Sequence, residues 1–414
     1  MSTFETHPRT VVGVMSGTSI DAIDVAAASI SGRGLSMRAK LVVFGTTALG
    51  PLAGDLRRAA GGEPMPAQAF AALGEALGRR YVDAIVEAAG RQAPFDLIAV
   101  HGQTIIHRPP LSWQLLNPAP IVRRFRCPVV SDLRQSDLAA GGRGAPITPL
   151  ADRVLFAQDG VARLIVNLGG FCNVTVLSQT PSQEGTAEES EVPPGRRAGI
   201  PSPQPRRQDA NRHERMDAKQ LTDVYGFDLC ACNHVLDEVA RETLGAEYDA
   251  GGRAAARGRP HSGALASLAA LLVRQCDERR SLGSGDELTG WVAAHRRRVP
   301  AEDLAATAVA AVAETIANAL GSLDADEVII AGGGTHNAAL VNALRHRIPR
   351  PVRLSDALGV PAKAREAMAM AVLGALCADG VPITLPRITG CQEATVAGSW
   401  WLPDGFSTTK SSEG

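Results

Sequence analysis

Hydroxyl side chains, small residues and two carboxylates crowd one turn near the start of the chain: Ser16, Gly17, Thr18, Ser19, Ile20, Asp21, Ala22, Ile23 and Asp24. In such a turn, backbone N–H groups and hydroxyls can approach phosphate oxygens closely, while Asp21 or Asp24 can hold a magnesium ion or its waters. No Gly-Lys-Ser/Thr follows, so this is not a Walker loop, and Asp21 after Ile20 breaks the G-x-S-x-G pattern of a nucleophile elbow. A second small-residue turn, Gly332-Gly333-Gly334, follows the apolar run Glu327 to Ala331 and leads through Thr335, His336 and Asn337 into a helical pattern. A glycine turn at a helix start suits nucleotide phosphate or ribose, with close packing as the alternative. The same two readings apply to Asn167-Leu168-Gly169-Gly170.

Polar side chains concentrate in a different stretch: His101-Gly102-Gln103-Thr104, then Ser131 through Asp137 with Asp132 and Arg134, then Gly141 to Pro146. They sit at the ends of short apolar segments. Hydrogen-bonding groups placed at strand ends are what a sugar requires, because each hydroxyl both donates and accepts. Asp228 follows Phe227, which could shield it from water, and a partly desolvated carboxylate suits proton abstraction near neutral pH. Helix capping by Asp228 or Asn233 is the competing reading.

The elements that must position these groups alternate between strand and helix. Thr10 to Val14 and Ile23 to Ala28 read as strands around the first turn, and Leu97 to Val100 as a short buried strand ending at His101. Phe70, Leu73, Leu77, Tyr81 and Ile85 fall on one face of a helix predicted over Ala67 to Ala89. Arg163 to Leu168 and Val174 to Leu177 repeat the strand, small-residue turn, strand unit. A helix through Leu304, Ala308, Val312, Ile316 and Leu320 and a strand from Glu327 to Ala331 come next. The two glycine-turn hairpins look like counterparts in two lobes, hence an internal duplication. Between them lies Ser178 to Lys219, rich in proline and poor in large apolar residues, which reads as a mobile surface insertion.

At 414 residues the chain calls for about two or three domains. With 42 basic against 43 acidic side chains and a net charge of -1, no bulk field draws it to nucleic acid or to anionic lipid. The opening residues run into a β-like segment without a basic region and an apolar core, so a cytoplasmic protein is expected. Asp303 to Leu323 is apolar but broken by Glu314, Thr315 and Asn318, which favours a buried helix over a membrane span. Seven scattered cysteines make no secreted disulfide framework. Cys230 and Cys232 alone are close, and without a second pair they read as packing rather than as a zinc site, so no metal ligand set is assigned to the cysteines.

In chain order, the strings VMSGTSIDAIDVA, AVHGQTIIHRP, VVSDLRQSDLAAGGRGAP, IVNLGGFCNVTVL, GFD, AGGGTHNAALVNAL and GVPAKAREAMAMAVLG resemble the anhydro-N-acetylmuramic acid kinases and the related levoglucosan kinases. The resemblance runs from about Val11 to Trp401, the insertion excepted. It implies an α/β protein with two ribonuclease-H-like lobes and ATP in the cleft between them, the actin-like fold. The first lobe would span residues 10–135, completed by about 375–402, and the second 136–374 with the insertion 178–219. It also implies ATP and Mg²⁺ as cofactors, an anhydro-sugar substrate and a possible homodimer. By the same resemblance Asp228 matches the catalytic base that takes a proton from water. Gly17 to Asp24 match the ATP-phosphate hairpin, and Gly332 to Gly334 the second-lobe nucleotide turn. Asp132, Arg134 and Glu366 match sugar-site positions. Two strings depart from the family. Leu229-Cys230-Ala231-Cys232-Asn233 stands where Thr-Gly-Pro-Gly-Asn is usual, and Leu116-Asn117 replaces Gly-Asp. The segment Arg280 to Ser284 also keeps little of the family's Lys-Ser-Thr-Gly-Arg-Glu. These departures leave open another anhydro sugar such as levoglucosan, or a catalytically weak nucleotide- or sugar-binding relative.

Overall fold

The computed structural model describes residues 7–179, 223–278, 282–283 and 285–405. The first sheet begins with a three-strand antiparallel meander of Arg9–Ser16 (β1), Ala22–Ser31 (β2) and Arg38–Ala48 (β3). Leu97–His101 (β4) then pairs parallel with β1. A separate hairpin, Gln103–Arg108 (β5) and Leu111–Leu115 (β6), follows directly, and Val129–Ser131 (β7) returns to the sheet beside β4. The second sheet repeats the plan: Arg163–Leu168 (β8), Phe171–Leu177 (β9) and Val224–Ala231 (β10) form the meander, and Glu327–Ala331 (β11) and Val352–Leu354 (β12) add in parallel. Ser399–Trp401 (β13) closes the first sheet at the edge of β7. The strand orders, β13-β7-β4-β1-β2-β3 and β10-β9-β8-β11-β12, share one core pattern in which the third strand of each meander is an edge and the first is central. This is the ribonuclease-H-like arrangement in duplicate, and the two hairpins predicted as counterparts are the first hairpins of the two sheets.

Each sheet is covered by helices because its central strands are apolar on both faces. Helix Ala67–Ala89, at the predicted boundaries, buries Leu73, Leu77, Tyr81 and Ile85 against Val12, Val14 and Val25. In the second lobe, helix Ala301–Gly321 packs with Ser262–Glu278 in a core that includes Leu304, Val312 and Ile316. Helix Ala301–Gly321 is long and apolar enough to cross a membrane, but its apolar residues are spent on this core.

Helix Arg365–Ala378 packs on β1, β2 and β4, so the chain rejoins the first lobe with this helix, ahead of the crossing expected near residue 375. The same apolar cluster takes in Leu150 and Phe156 of helix Pro149–Phe156 and Ile165, Leu177 and Ile329 of the second sheet, which joins the lobes behind the cleft. At that junction the buried Arg365 guanidinium donates from Nε to Asp152 Oδ1 at 3.0 Å and from Nη2 to Asp152 Oδ2, while Thr175 Oγ1 donates to Oδ2 at 2.6 Å. From residue 180 onward the expected insertion lies outside the described residues, as does most of Arg280 to Ser284.

Candidate active site

The first-lobe turn is tight because Ile20 N donates to Gly17 O at 3.2 Å, which places Ile20 at φ 52 with its side chain buried. A β-branched residue in the left-handed region stores of order 1–3 kcal/mol, tolerated where the surroundings fix it. Gln103 ties the polar stretch to this turn by donating from Nε2 to Gly17 O at 3.3 Å. Ser19 Oγ donates to Asp21 Oδ1 at 2.6 Å and Thr46 Oγ1 to Asp24 Oδ1 at 2.7 Å. Burial raises the Asp24 carboxyl to about 6 against the Thr46 hydrogen bond, with Glu366 and Asp21 pushing the same way as burial and Lys363 opposing.

Across the cleft the second-lobe turn meets the first. A Cβ on Gly170 would lie 2.8 Å from Thr18 Oγ1 and 2.4 Å from His234 Nε2, so a side chain there would have to displace one of them. The N–H groups of Cys232 and His234 donate to Gly170 O, and that of Asn233 to Gly169 O. Gly332, at φ 88, leaves room for Asn167 Oδ1, which a Cβ would approach to 2.6 Å. Gly334 packs on Leu168 and Asn233, and Gly333 lies 3.8 Å from Asn233 Nδ2 on the same scale. Asn337 accepts from Leu340 N at 3.0 Å and thereby caps helix Ala338–Arg347.

Arg134 is the centre of the polar group. Its Nε donates to His101 Nε2 at 3.1 Å and its Nη1 to Gly144 O at 2.8 Å, and its charge lies within electrostatic reach of Asp228, Glu366 and Asp132. His101 Nδ1 lies 2.8 Å from Gly102 O, which assigns the proton to Nδ1 and leaves Nε2 to accept from Arg134. Burial and the neighbouring guanidinium push His101 down to about 3, so the ring is neutral. Asp132, at φ 56, has its carboxyl raised by burial against Arg134, and its Oδ1 is buried without a partner. Glu366 accepts from Asn167 Nδ2 at 3.0 Å. Asp228 lies within β10 at a bulge and accepts from Leu282 N at 2.9 Å. The next helix, Asn233–Val239, starts at Cys232 with no side-chain cap, and Asn233 donates instead to Leu168 O, so the capping reading falls.

The structure therefore brings Gly17 to Asp24, Gly169, Gly170, His101, Gln103, Asp132, Arg134, Asp228 and Glu366 to one cleft, with Gly332 to Gly334 on its second-lobe wall. Asp137 is different. Fully buried, it accepts from Gly144 N and Thr389 Oγ1 and shapes the glycine loop. The two departed strings within the described residues are taken up by hydrogen bonding and by packing. Asn117 donates to Glu75 Oε2 at 2.8 Å and accepts from Ala119 N at 3.0 Å, joining two first-lobe helices. Leu229, Cys230, Ala231 and Cys232 are all buried in the second-lobe core. Sequence reasoning missed Thr46, Lys363 and the carboxamide of Asn167 as neighbours of the acidic group. Asn167 alone carried a signal, as the polar residue opening its glycine turn.

Two ribonuclease-H-like lobes set glycine turns and carboxylates against one another across a cleft, an arrangement suited to a phosphorylated ligand between the lobes. The family model of anhydro-N-acetylmuramic acid kinase matches residues 9–189 and 219–403, leaving out most of the expected insertion. A protein named anhydro-N-acetylmuramic acid kinase from Salinibacter ruber is 32% identical over 95% of this chain and 96% of its own. One of the same name from Bordetella parapertussis is 34% identical over 94% and 95%. A ROK family glucokinase from Streptomyces griseus, solved with glucose and AMPPNP, aligns at 15% identity and a TM-score of 0.37 over 88% of this chain and 99% of its own. The chain belongs to the anhydro-N-acetylmuramic acid kinase family.

Proposed function

We propose that the protein hydrolytically opens 1,6-anhydro-N-acetylmuramic acid and phosphorylates it at the expense of ATP, yielding N-acetylmuramic acid 6-phosphate and ADP in cell-wall recycling. The observation that carries this reading is the meeting of Arg134, Asp132, Asp228 and Glu366 beside the facing turns of Thr18 and Gly170. Asp228 takes a proton from the water whose oxygen attacks the anomeric carbon. The bond from that carbon to the bridging oxygen breaks, and the released 6-oxygen attacks the γ-phosphorus as the bond to the β-phosphate oxygen breaks. Arg134 offsets negative charge among the three carboxylates and holds the sugar-side loop through Gly144 O. Gly17 to Asp24, Gly169 and Gly170 line the phosphates, and Gly332 to Gly334 the nucleoside side. His101, Gln103 and Asp132 face the sugar with Arg134 and Glu366.

Asp24 and Asp21, on the first-lobe turn, would hold a magnesium ion or its waters, because burial and the neighbouring carboxylates make Asp24 costly to ionise without a cation. Bound there, a magnesium ion would supply charge neutralisation for the transferring phosphoryl group. The unpaired thiols of all seven cysteines agree with a reducing, cytoplasmic setting, and a homodimer is expected from the resemblance. Incubation with ATP, Mg²⁺ and the anhydro sugar is expected to release ADP. Asp228→Asn is expected to lower that release by about a hundredfold or more. Equal turnover in the variant would remove Asp228 from the mechanism, and no turnover of any anhydro sugar by the wild type would remove the assignment itself.

A further inference from the structure

The β5–β6 hairpin carries polar atoms that no catalytic role above uses. His107 and Ser112 are cross-strand partners, with His107 Nδ1 2.9 Å from Ser112 Oγ. Gln114, two residues along the same strand and hence on the same face, donates from Nε2 to Ser112 Oγ at 2.9 Å. That arrangement spends one end of each side chain on the serine. Their other ends, His107 Nε2 and Gln114 Oε1, are buried with no partner. A buried polar atom left unpaired costs about 1–3 kcal/mol, and these two belong to side chains that meet at Ser112 on one hairpin, where a single ligand could satisfy both.

The hairpin belongs to the cleft. Arg134 lies near enough to His107 to help burial push its ring down to about 4, so the ring is neutral. Gln135 donates to Ser112 O at 2.6 Å, and a Cβ on Gly283, in the segment that also contacts Asp228, would come within 2.9 Å of His107 O. Ser112 Oγ already accepts from Gln114, so its own proton is available to His107 Nδ1, which places the ring proton on Nε2. The free atoms are then one donor, His107 Nε2–H, and one acceptor, Gln114 Oε1.

We infer that His107 and Gln114 form a specificity subsite for the acetamido group of the sugar, with His107 Nε2–H donating to its carbonyl oxygen and Gln114 Oε1 accepting its N–H. This rests on the proposed anhydro-sugar kinase activity and adds which substituent the site reads. An amide matches a neighbouring donor and acceptor. A carboxylate offers acceptors only and would meet Gln114 Oε1 with like partial charge.

Three substrates separate the possibilities: 1,6-anhydro-N-acetylmuramic acid, its N-acetylglucosamine counterpart lacking the lactyl group, and levoglucosan, which has a hydroxyl in place of the acetamide. His107→Ala and Gln114→Leu are each expected to lower kcat/KM about tenfold or more for both acetamido sugars, mainly through KM, while levoglucosan turnover and the KM for ATP change less than threefold. A loss confined to the lactyl-bearing sugar overturns the inference in favour of the carboxylate, and equal losses for all three sugars overturn it in favour of a structural role. Calorimetric titration of the N-acetylglucosamine counterpart into wild type with a non-hydrolysable ATP analogue gives a readout free of turnover. Absence of binding there overturns the subsite, whereas binding without ADP release to ATP overturns the kinase reading alone.

Discussion

Replacing Asp24 by asparagine should stabilise the nucleotide-free protein while impairing the reaction, and the two effects share one cause. The Asp24 carboxyl is raised from 3.8 to about 6, chiefly by burial. Below about pH 4 it is protonated in both folded and unfolded chains and costs nothing. Between 4 and 6 the folded state holds the proton that the unfolded chain has lost. Above 6 both are ionised, and the folded state bears the whole penalty. About two pKa units at about 1.4 kcal/mol each set an upper bound of about 3 kcal/mol. An asparagine carries no charge at any of these pH values, and its carbonyl oxygen can still accept from Thr46 Oγ1, which donates at 2.7 Å in the native site. Urea unfolding without nucleotide should therefore give matched stabilities at pH 4 and a variant more stable by about 1–3 kcal/mol at pH 7.5, the gap opening between. The same variant should lose most of its Mg²⁺-dependent ADP release. A variant less stable than wild type at pH 7.5, or a gap that does not vary with pH, would refute the reasoning.

Two further outcomes test the junction and the departed motif. Arg365→Met strands the buried Asp152 carboxylate with Thr175 as its remaining donor, and should cost about 3–5 kcal/mol in urea unfolding, much of it recovered when Asp152→Leu is added. An unchanged midpoint in the single variant would show that the pair does not hold the lobes. Placing Thr-Gly-Pro-Gly at 229 to 232 should lower the melting temperature by several degrees without raising ADP release, since it empties core positions and deletes the Ala231 N–H that donates to Gln275 Oε1 at 2.8 Å. A large gain in turnover would show instead that the native residues limit catalysis.

The elements easiest to read in the sequence are those whose burial is one-sided and long or complete and short. Helix Ala67–Ala89 announces itself through five apolar residues on one face, and β4 and β8 through unbroken apolar runs bounded by polar residues. β3 was not legible. An edge strand largely open to solvent, it has only Thr47 fully buried and so little apolar pattern to find. The short β7, β12 and β13 are placed by their neighbours rather than by their own residues. The duplication could be read because each hairpin turn is made of small residues. Its consequence, Thr18 against Gly170, depends on a lobe junction formed by residues far apart in the chain.

The site shows the same division. His101, Gln103, Asp132 and Arg134 stand out as polar side chains at strand ends, yet nothing local separates them from Asp137, whose carboxylate is consumed by Gly144 N and Thr389. The difference lies in what faces each group, and for Asp137 one partner is 252 residues away. The Leu229 to Cys232 departure makes the same point. Read as a motif, it is a loss of glycines where a ligand should approach. In the fold those side chains point into the second-lobe core, and Gln275 links the Ala231 N–H to Asp286 O, in the segment whose Leu282 N–H reaches Asp228. The backbone at 231 is thus linked through Gln275 to the segment that holds Asp228, so a proline there removes that link without altering Asp228 itself.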